Sequence, residues 1–173
     1  MTGAEGVLHL RPEGGRTIWF GDAVYSFKAT KESTGGRLTL AEASVPPGSG
    51  PPPHLHRELD EAFYILSGRF EFLSGDSTFE AGPGDFVYIP HGVRHRFRNA
   101  GTHPGRLIFL FTPGGMDEYF TEIGETARAG VAPAPLTPEQ IRLIGDLAPR
   151  HGLVLHPPAQ PDAHGSTSPE DAP

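Results

Sequence analysis

Three histidines and one glutamate between residues 54 and 95 have the types and spacing of a metal site. His54 and His56 are two residues apart, so both imidazoles would point to the same face of a strand. Glu61 is an odd number of residues from His56, so a turn or bulge must intervene before the carboxylate can converge with them. His95 must be brought in by the fold. Three imidazoles and one carboxylate suit a divalent transition metal with one or two positions left for water or substrate, which makes chemistry possible there.

The composition limits the classes of protein and of site. A chain of 173 residues fits one domain, and its 23 glycines and 19 prolines favour short strands joined by tight turns over a helical bundle. The chain has no cysteine, so a metal must be held by histidine and carboxylate ligands. A formal net charge of −7 argues against nucleic-acid binding, which needs a basic face.

The distribution of apolar residues gives no sign of a membrane segment. No run of about 18 apolar residues occurs, so we expect no membrane span. The first residues lack a basic region followed by an apolar stretch, so we expect no signal peptide and a cytoplasmic protein.

Short segments of β-forming residues alternate with glycine and proline turns over the first two thirds of the chain. They predict strands at residues 17–20, 23–27, 37–43, 61–66, 69–73, 77–80, 86–89, 95–98 and 107–111. A loop rich in proline and glycine at 45–53 leads directly to His54. Many short strands at regular spacing indicate an all-β fold, either a barrel or a double-sheet jelly roll.

The C-terminal third has helical rather than strand-like patterns of apolar residues, followed by a polar stretch. Apolar residues at helical spacing predict an amphipathic helix over 116–124. The segment 137–140 reads as a capping box with proline at the first helical position, so a second helix should begin there and end near Pro149. From residue 157 onward the chain is rich in Pro, Asp, Ser and Gly, which predicts a disordered tail.

These patterns divide the chain into four segments. Residues 1–44 are predicted to supply N-terminal strands and a possible dimer contact, and 45–112 the barrel core with the candidate ligands. Residues 113–156 form the helical segment, and 157–173 the tail.

Two blocks within 48–99 resemble the two signature motifs of the cupin superfamily. They read G-x5-H-x-H-x4-E-x6-G and G-x5-P-x-G-x2-H-x3-N, and every anchor position is filled. The resemblance implies a single jelly-roll β-barrel followed by two helices. It makes His54, His56, Glu61 and His95 the ligands of one divalent ion (Fe, Ni, Mn, Co, Cu or Zn). It also makes Asn99 a structural residue near a strand end.

The segment 112–124 is similar to the helix that follows the barrel in quercetinase-like monocupins, where that helix helps to cover the substrate cavity. In such proteins the glutamate that matches Glu61 is thought to accept a proton from the substrate. Glu61 can equally be a purely structural ligand. The superfamily also contains isomerases, decarboxylases, lyases, polyketide cyclases and storage proteins, so the fold does not determine the reaction.

Several apolar side chains are candidates for a substrate-binding wall. Phe63 and Ile65 share the strand face of Glu61, and Phe97 shares that of His95. Met116 and Phe120 lie on the predicted helix. An aromatic wall would suit a flat phenolic or polyketide ligand, whereas ordinary packing of a barrel interior explains each residue equally well. Phe86 and Tyr88, which share a face of their strand, are further candidates for such a wall.

Three functions remain open. The leading hypothesis is a metal-dependent dioxygenase that binds an enolisable aromatic, flavonol-like or polyketide-like small molecule and O2, with Glu61 as base. A non-oxidative metal-dependent isomerase, lyase or cyclase in natural-product tailoring is the alternative, and a ligand-binding cupin without turnover is the third. A homodimer is expected from the resemblance, with Trp19 and Phe20 either at the contact or packed on their own barrel.

Overall fold

Short antiparallel strands make up most of the chain in a computed structural model that describes residues 6–156. The strands are β1 (Thr17–Phe20), β2 (Ala23–Ala29), β3 (Thr39–Val45), β4 (His54–His56), β5 (Asp60–Ser67), β6 (Phe70–Ser74), β7 (Ser77–Ala81), β8 (Phe86–Ile89), β9 (His95–Asn99), β10 (Gly105–Thr112), β11 (Glu125–Thr126) and β12 (Leu153–Leu155). The helices are α1 (Lys31–Thr34), α2 (Met116–Ile123) and α3 (Pro138–Leu147), and a 3-10 turn follows at Ala148–His151.

The strands form two sheets. The larger sheet has the order β11-β1-β2-β3-β10-β5-β8, and the smaller has the order β12-β4-β9-β6-β7. The prediction of an all-β jelly roll with two C-terminal helices is confirmed. Among the described residues no ladder of backbone hydrogen bonds joins one sheet to the other, so the barrel consists of two layers held together by side chains.

Aromatic side chains fill the space between the layers. Strands β2 and β3 alternate buried and partly exposed residues, as expected for sheets with one face on a core. The Phe63 ring on β5 lies 5.1 Å from the Phe72 ring on β6 and 5.4 Å from the Phe97 ring on β9, in both cases nearly edge to face. Burial of these rings favours the two-layer arrangement, because each removes a large apolar area from water.

The predicted helices α2 and α3 are both present. Thr137 and Gln140 form the expected capping box, with the Thr137 side chain accepting from the Gln140 amide and the Gln140 side chain accepting from the Thr137 amide. In residues 6–156 no helix is both long and apolar enough to cross a membrane.

Three short elements were not predicted from the sequence. Helix α1 has four residues and no buried side chain, so it lacks the apolar periodicity on which a helix prediction depends. Strand β11 has only two residues. Strand β12 pairs with β4, the strand that carries two of the candidate ligands. The predicted disordered tail, 157–173, lies outside the described residues.

Trp19 is buried within its own chain. Its side chain is 8% exposed, and the Arg128 guanidinium lies 5.5 Å from the centre of its ring. The neighbouring Phe20 ring packs against Tyr25 and Phe120, at 5.9 and 5.7 Å between ring centres. The alternative that these two residues pack on their own barrel therefore agrees with the structure.

Candidate metal centre

The four candidate ligands come together from three strands. His54 and His56 are buried on the same face of β4, with Leu55 between them pointing the other way. Glu61 is buried at the start of β5, and His95 begins β9, directly opposite His54 in the β4–β9 pair. Each of the four side chains offers one donor atom, and these atoms all lie within 4.8 Å of one another.

Backbone carbonyls orient two of the imidazoles. His54 Nδ1 lies 2.9 Å from the Pro52 carbonyl oxygen, and His95 Nδ1 lies 2.9 Å from the Val93 carbonyl oxygen. A carbonyl can only accept, so Nδ1 carries a hydrogen in both rings and Nε2 faces Glu61. This is the orientation that ligating histidines need, because the hydrogen bond at one nitrogen directs the other to the ion.

The Nε2 atoms converge on one carboxylate oxygen. Glu61 Oε2 lies 2.7 Å from His95 Nε2, 3.2 Å from His56 Nε2 and 4.0 Å from His54 Nε2. Burial by itself would raise the pKa of Glu61, but the hydrogen bonds and charges of His56 and His95 outweigh it and hold that pKa at about 2. The carboxylate is therefore ionised at neutral pH.

The histidines differ in their affinity for a proton. Burial, reinforced by the neighbouring His95, lowers the pKa of His54 to about 3. Burial would also lower the pKa of His95, but its hydrogen bond to the Glu61 carboxylate more than compensates, so that pKa is raised. His54 is thus a neutral ring with a free lone pair, whereas the Glu61 carboxylate favours a proton on His95.

The donor set fits a divalent transition ion. One carboxylate and three imidazole nitrogens buried together are costly without a positive charge between them, and His56 Nδ1 is also buried with no hydrogen-bond partner among the described residues. These four residues could hold a metal, and imidazole–carboxylate ligation is compatible with Fe, Ni, Mn, Co, Cu or Zn without selecting one of them.

The other motif residues shape the backbone around the cluster. The Asn99 side chain donates to the carbonyls of Val45 and His103 and accepts from the Gly101 amide, so it joins the end of β9 to the end of β3 and to the loop that follows β9. Gly92, with a φ of 79°, donates its amide to the His56 carbonyl at 2.7 Å. The turn of the second motif thereby holds the ligand strand of the first.

His91 lies outside the cluster. It is exposed, and its Nδ1 atom is 2.8 Å from Asp60 Oδ1. Phe86 and Tyr88 were candidates for an aromatic wall, and this prediction is wrong because they are 65% and 54% exposed. On β8 the alternate residues, Val87 and Ile89, face the core instead.

A cavity of about 60 Å³, here called the inner cavity, lies beside the histidines. Its walls are almost entirely apolar, and Glu61 is the only carboxylate among the described residues that line it. Of the predicted substrate-binding residues, Phe97, Met116 and Phe120 line this cavity.

Phe63 and Ile65 were candidates for the substrate-binding wall, but they do not line the inner cavity. Strand β5 runs from Glu61 into the space between the sheets, where both side chains are buried in the core. Sequence reasoning missed the aromatic wall formed by Tyr25, Phe109 and Phe111, although the alternation along β2 and β10 could have indicated their common face.

Comparison with known proteins identifies the superfamily. Residues 41–111 match the family described as "Cupin domain". Protein SchB of Streptomyces halstedii is 38% identical over 99 residues, which cover 53% of this chain and 70% of SchB. The chain belongs to the cupin superfamily. The solved structure of KdgF from Halomonas sp. has the same fold as this cupin, with a TM-score of 0.57 and 21% identity, covering 65% of this chain and 98% of KdgF.

Two further relatives carry functional names. Quercetin 2,3-dioxygenase of Bacillus subtilis (strain 168) is 25% identical over 121 residues, 70% of this cupin but only 35% of the dioxygenase. Polyketide synthase CurC of Streptomyces cyaneus is 33% identical over 84 residues, 49% of this cupin and 53% of CurC. The cupin thus spans about a third of the first relative and about half of the second.

Proposed function

We propose that this cupin is a metal-dependent dioxygenase for an enolisable aromatic small molecule of the flavonol or polyketide kind. One observation carries the proposal: a cluster of three imidazoles and one ionised carboxylate presents His54, His56 and Glu61 to a cavity whose remaining walls are apolar and largely aromatic. The distant relationship to a quercetin 2,3-dioxygenase and the similarity to a polyketide synthase protein support the choice of substrate class.

The four clustered residues would hold the ion, and two of them, His54 and Glu61, have separate contributions. His54 presents a neutral ring at pH 7, because its pKa lies at about 3. A bound divalent ion would lower the pKa of a coordinated substrate hydroxyl. Glu61 is the carboxylate in the cavity wall, so it is placed to accept that proton.

The apolar walls would protect the reaction. The rings of Phe97, Phe109 and Phe111 border the cluster and offer no hydrogen-bonding atom to water. A carbanion-like enolate that reacts with O2 would otherwise be quenched by a proton from solvent. Exclusion of water from this side of the site therefore favours oxygenation over simple reprotonation.

The first experiment asks whether the cluster binds metal. The purified protein is stripped with chelator, reloaded with one divalent ion at a time and assayed by elemental analysis. We expect about one equivalent in the wild type and a near-complete loss in His54→Ala and His95→Ala. His103→Ala, which changes an exposed histidine outside the cluster, is the matched control and should keep the full equivalent.

The second experiment asks which reaction follows. Oxygen uptake is measured with quercetin and with enolic aromatic ketones for each metal form that binds. Uptake that requires both metal and substrate supports the dioxygenase. Equal conversion under nitrogen would replace it with a non-oxidative isomerase, lyase or cyclase, and a raised melting temperature without any product would favour a binding protein.

We also infer that the cupin forms a homodimer through its N-terminal strands. Because Trp19 is buried by its own chain, such a contact would use other residues of those strands. Light scattering on the purified protein gives the mass directly, and a monomer mass at all concentrations would contradict the inference.

A further inference from the structure

The inner cavity is too small for a substrate with several rings. Its volume of about 60 Å³ admits a few water molecules, whereas sites for small organic ligands usually begin near 300 Å³. A second cavity, here called the outer cavity, has a volume of about 310 Å³. The two cavities share four lining residues, so they adjoin each other: Phe20, Tyr25, Pro51 and Phe97.

The outer cavity has a polar wall formed by residues outside the metal cluster. Asp22 and Ser49 line it, and the Ser49 hydroxyl donates a hydrogen bond to Asp22 Oδ2. Within residues 6–156 the other carboxylate oxygen of Asp22 accepts no hydrogen bond. Leu136 and Ile141 line the same cavity. The outer cavity therefore combines apolar surface with an acceptor suited to a hydroxyl donor.

Gly50 allows this wall to lie close to β9. A Cβ atom at residue 50 would stand 2.1 Å from the Phe97 carbonyl oxygen, a distance that no side chain can adopt. The loop that carries Ser49 is thus pressed against the strand that carries His95 and Phe97. This contact places the polar wall near the metal cluster.

Tyr25 stands at the boundary between the cavities. Its side chain is 5% exposed, and its ring packs against Phe109 and Phe120 at 5.1 and 5.2 Å between centres. Its hydroxyl makes no hydrogen bond within the described part of the chain. Burial raises the pKa of Tyr25, and the charges of Glu61 and Asp22 raise it further, so the hydroxyl keeps its proton and can donate a hydrogen bond to a ligand oxygen.

We infer that the outer cavity is the recognition compartment for a flat, polyhydroxylated aromatic of at least two rings. One ring lies in the outer cavity and donates a phenolic hydroxyl to Asp22. The Tyr25 hydroxyl donates to an oxygen at the junction, and the reactive edge of the ligand extends past Phe97 towards Glu61. The inference rests on the proposed function, because it assumes that the reacting atoms lie at the metal cluster.

The experiment measures binding without turnover. Zinc-loaded protein is titrated under nitrogen with quercetin and with flavone, which has the same ring skeleton and no hydroxyl group. Asp22→Asn keeps an oxygen acceptor for Ser49 but removes the charged acceptor, so it preserves the loop. Asp76→Asn, at a fully exposed position, is the matched control.

We expect Asp22→Asn to weaken quercetin binding about tenfold, because a hydrogen bond to a charged group is lost, and to leave flavone binding within twofold of the wild type. Asp76→Asn should change neither. Leu136→Trp, which fills the outer cavity, should weaken the binding of both compounds at least tenfold without altering the zinc equivalent. Leu136→Ala should not weaken the binding of either compound to that extent.

The inference is overturned if quercetin fails to bind the wild type, or if Asp22→Asn and Leu136→Trp bind both compounds as the wild type does. The result is separate from that of the proposed function. Binding that depends on Asp22 without any oxygen uptake would leave the recognition compartment in place and remove the dioxygenase.

Discussion

Leu153 lies directly opposite His56 in the antiparallel pair of β12 and β4, and Leu155 lies opposite His54. The strand that carries two candidate ligands has only three residues and is paired with β9 through a single pair of residues. Its other neighbour is β12, near the end of the described chain. The C-terminal strand therefore supports the ligand geometry from the outer edge of the smaller sheet.

Replacing Val154 with proline should weaken metal binding. Arg57 donates its amide to the Gly152 carbonyl and His156 donates to the Pro53 carbonyl, so by alternation the Val154 amide also faces β4. Proline removes that donor. We expect several-fold weaker affinity for the ion in a calorimetric titration, whereas Val154→Ala, which keeps the amide, should stay close to the wild type. Equal affinity in both variants would show that β12 does not support the site.

Asp117 should contribute much more to stability than its neighbour Glu118. The buried Asp117 carboxylate accepts from the Thr39 hydroxyl and from the Lys31 amide, whereas Glu118 makes only an exposed ion pair with Lys31. Asp117→Ala leaves buried donors without an acceptor, so we expect a loss of about 2 kcal/mol in the free energy of unfolding. Glu118→Ala should cost less than about 0.5 kcal/mol. Urea titrations of both variants check the difference, and similar losses would contradict it.

Asn99 should be essential for stability although it touches no ligand atom. Its amide joins β9 to the end of β3 at Val45 and to the loop that contains His103. We expect Asn99→Ala to lower the free energy of unfolding by about 2 kcal/mol, which for a chain of this size is a fall of roughly 4–8 °C in melting temperature. Arg98→Ala, at the exposed neighbouring position, is the control and should melt within about 2 °C of the wild type.

Phe63 and Phe120 should separate stability from ligand binding. Phe63 is 1% exposed and packs on Phe72 and Phe97, away from the inner cavity, so Phe63→Ala should cost about 3–5 kcal/mol of stability. Phe120 lines the cavity and is only partly buried. Phe120→Ala should lower the free energy of unfolding by less than Phe63→Ala does. It should change the affinity for quercetin at least fivefold, measured on zinc-loaded protein. A change in affinity confined to Phe63→Ala would restore the predicted wall on β5.

Part of the ligand cluster could be predicted because its requirements are local, whereas the inclusion of His95 rested on the resemblance to the cupin motifs. The spacing of His54 and His56 fixes a common face on any strand, and glycines such as Gly92 mark turns that need a positive φ. Strand alternation likewise predicted that Phe63 would point inward. In each case the information lies within a few residues of the chain.

The cavities could not be predicted because they depend on contacts between distant segments. Whether an inward ring lines a cavity or fills the core depends on the opposite layer, which is why Phe63 and Phe97 differ although both were predicted from parity. Asp22 belongs to a two-residue turn with no motif, and only the placement of the loop containing Ser49 gives it a neighbour.

The imidazoles of His54 and His95 are each held by the carbonyl two residues earlier, in the loop that precedes their strand. The orientation of each ring is therefore set within three consecutive residues and does not depend on a bound ion. Such a site should load and unload without refolding, so the identity of the resident metal would follow the supply of ions in the cell as much as any preference of the protein.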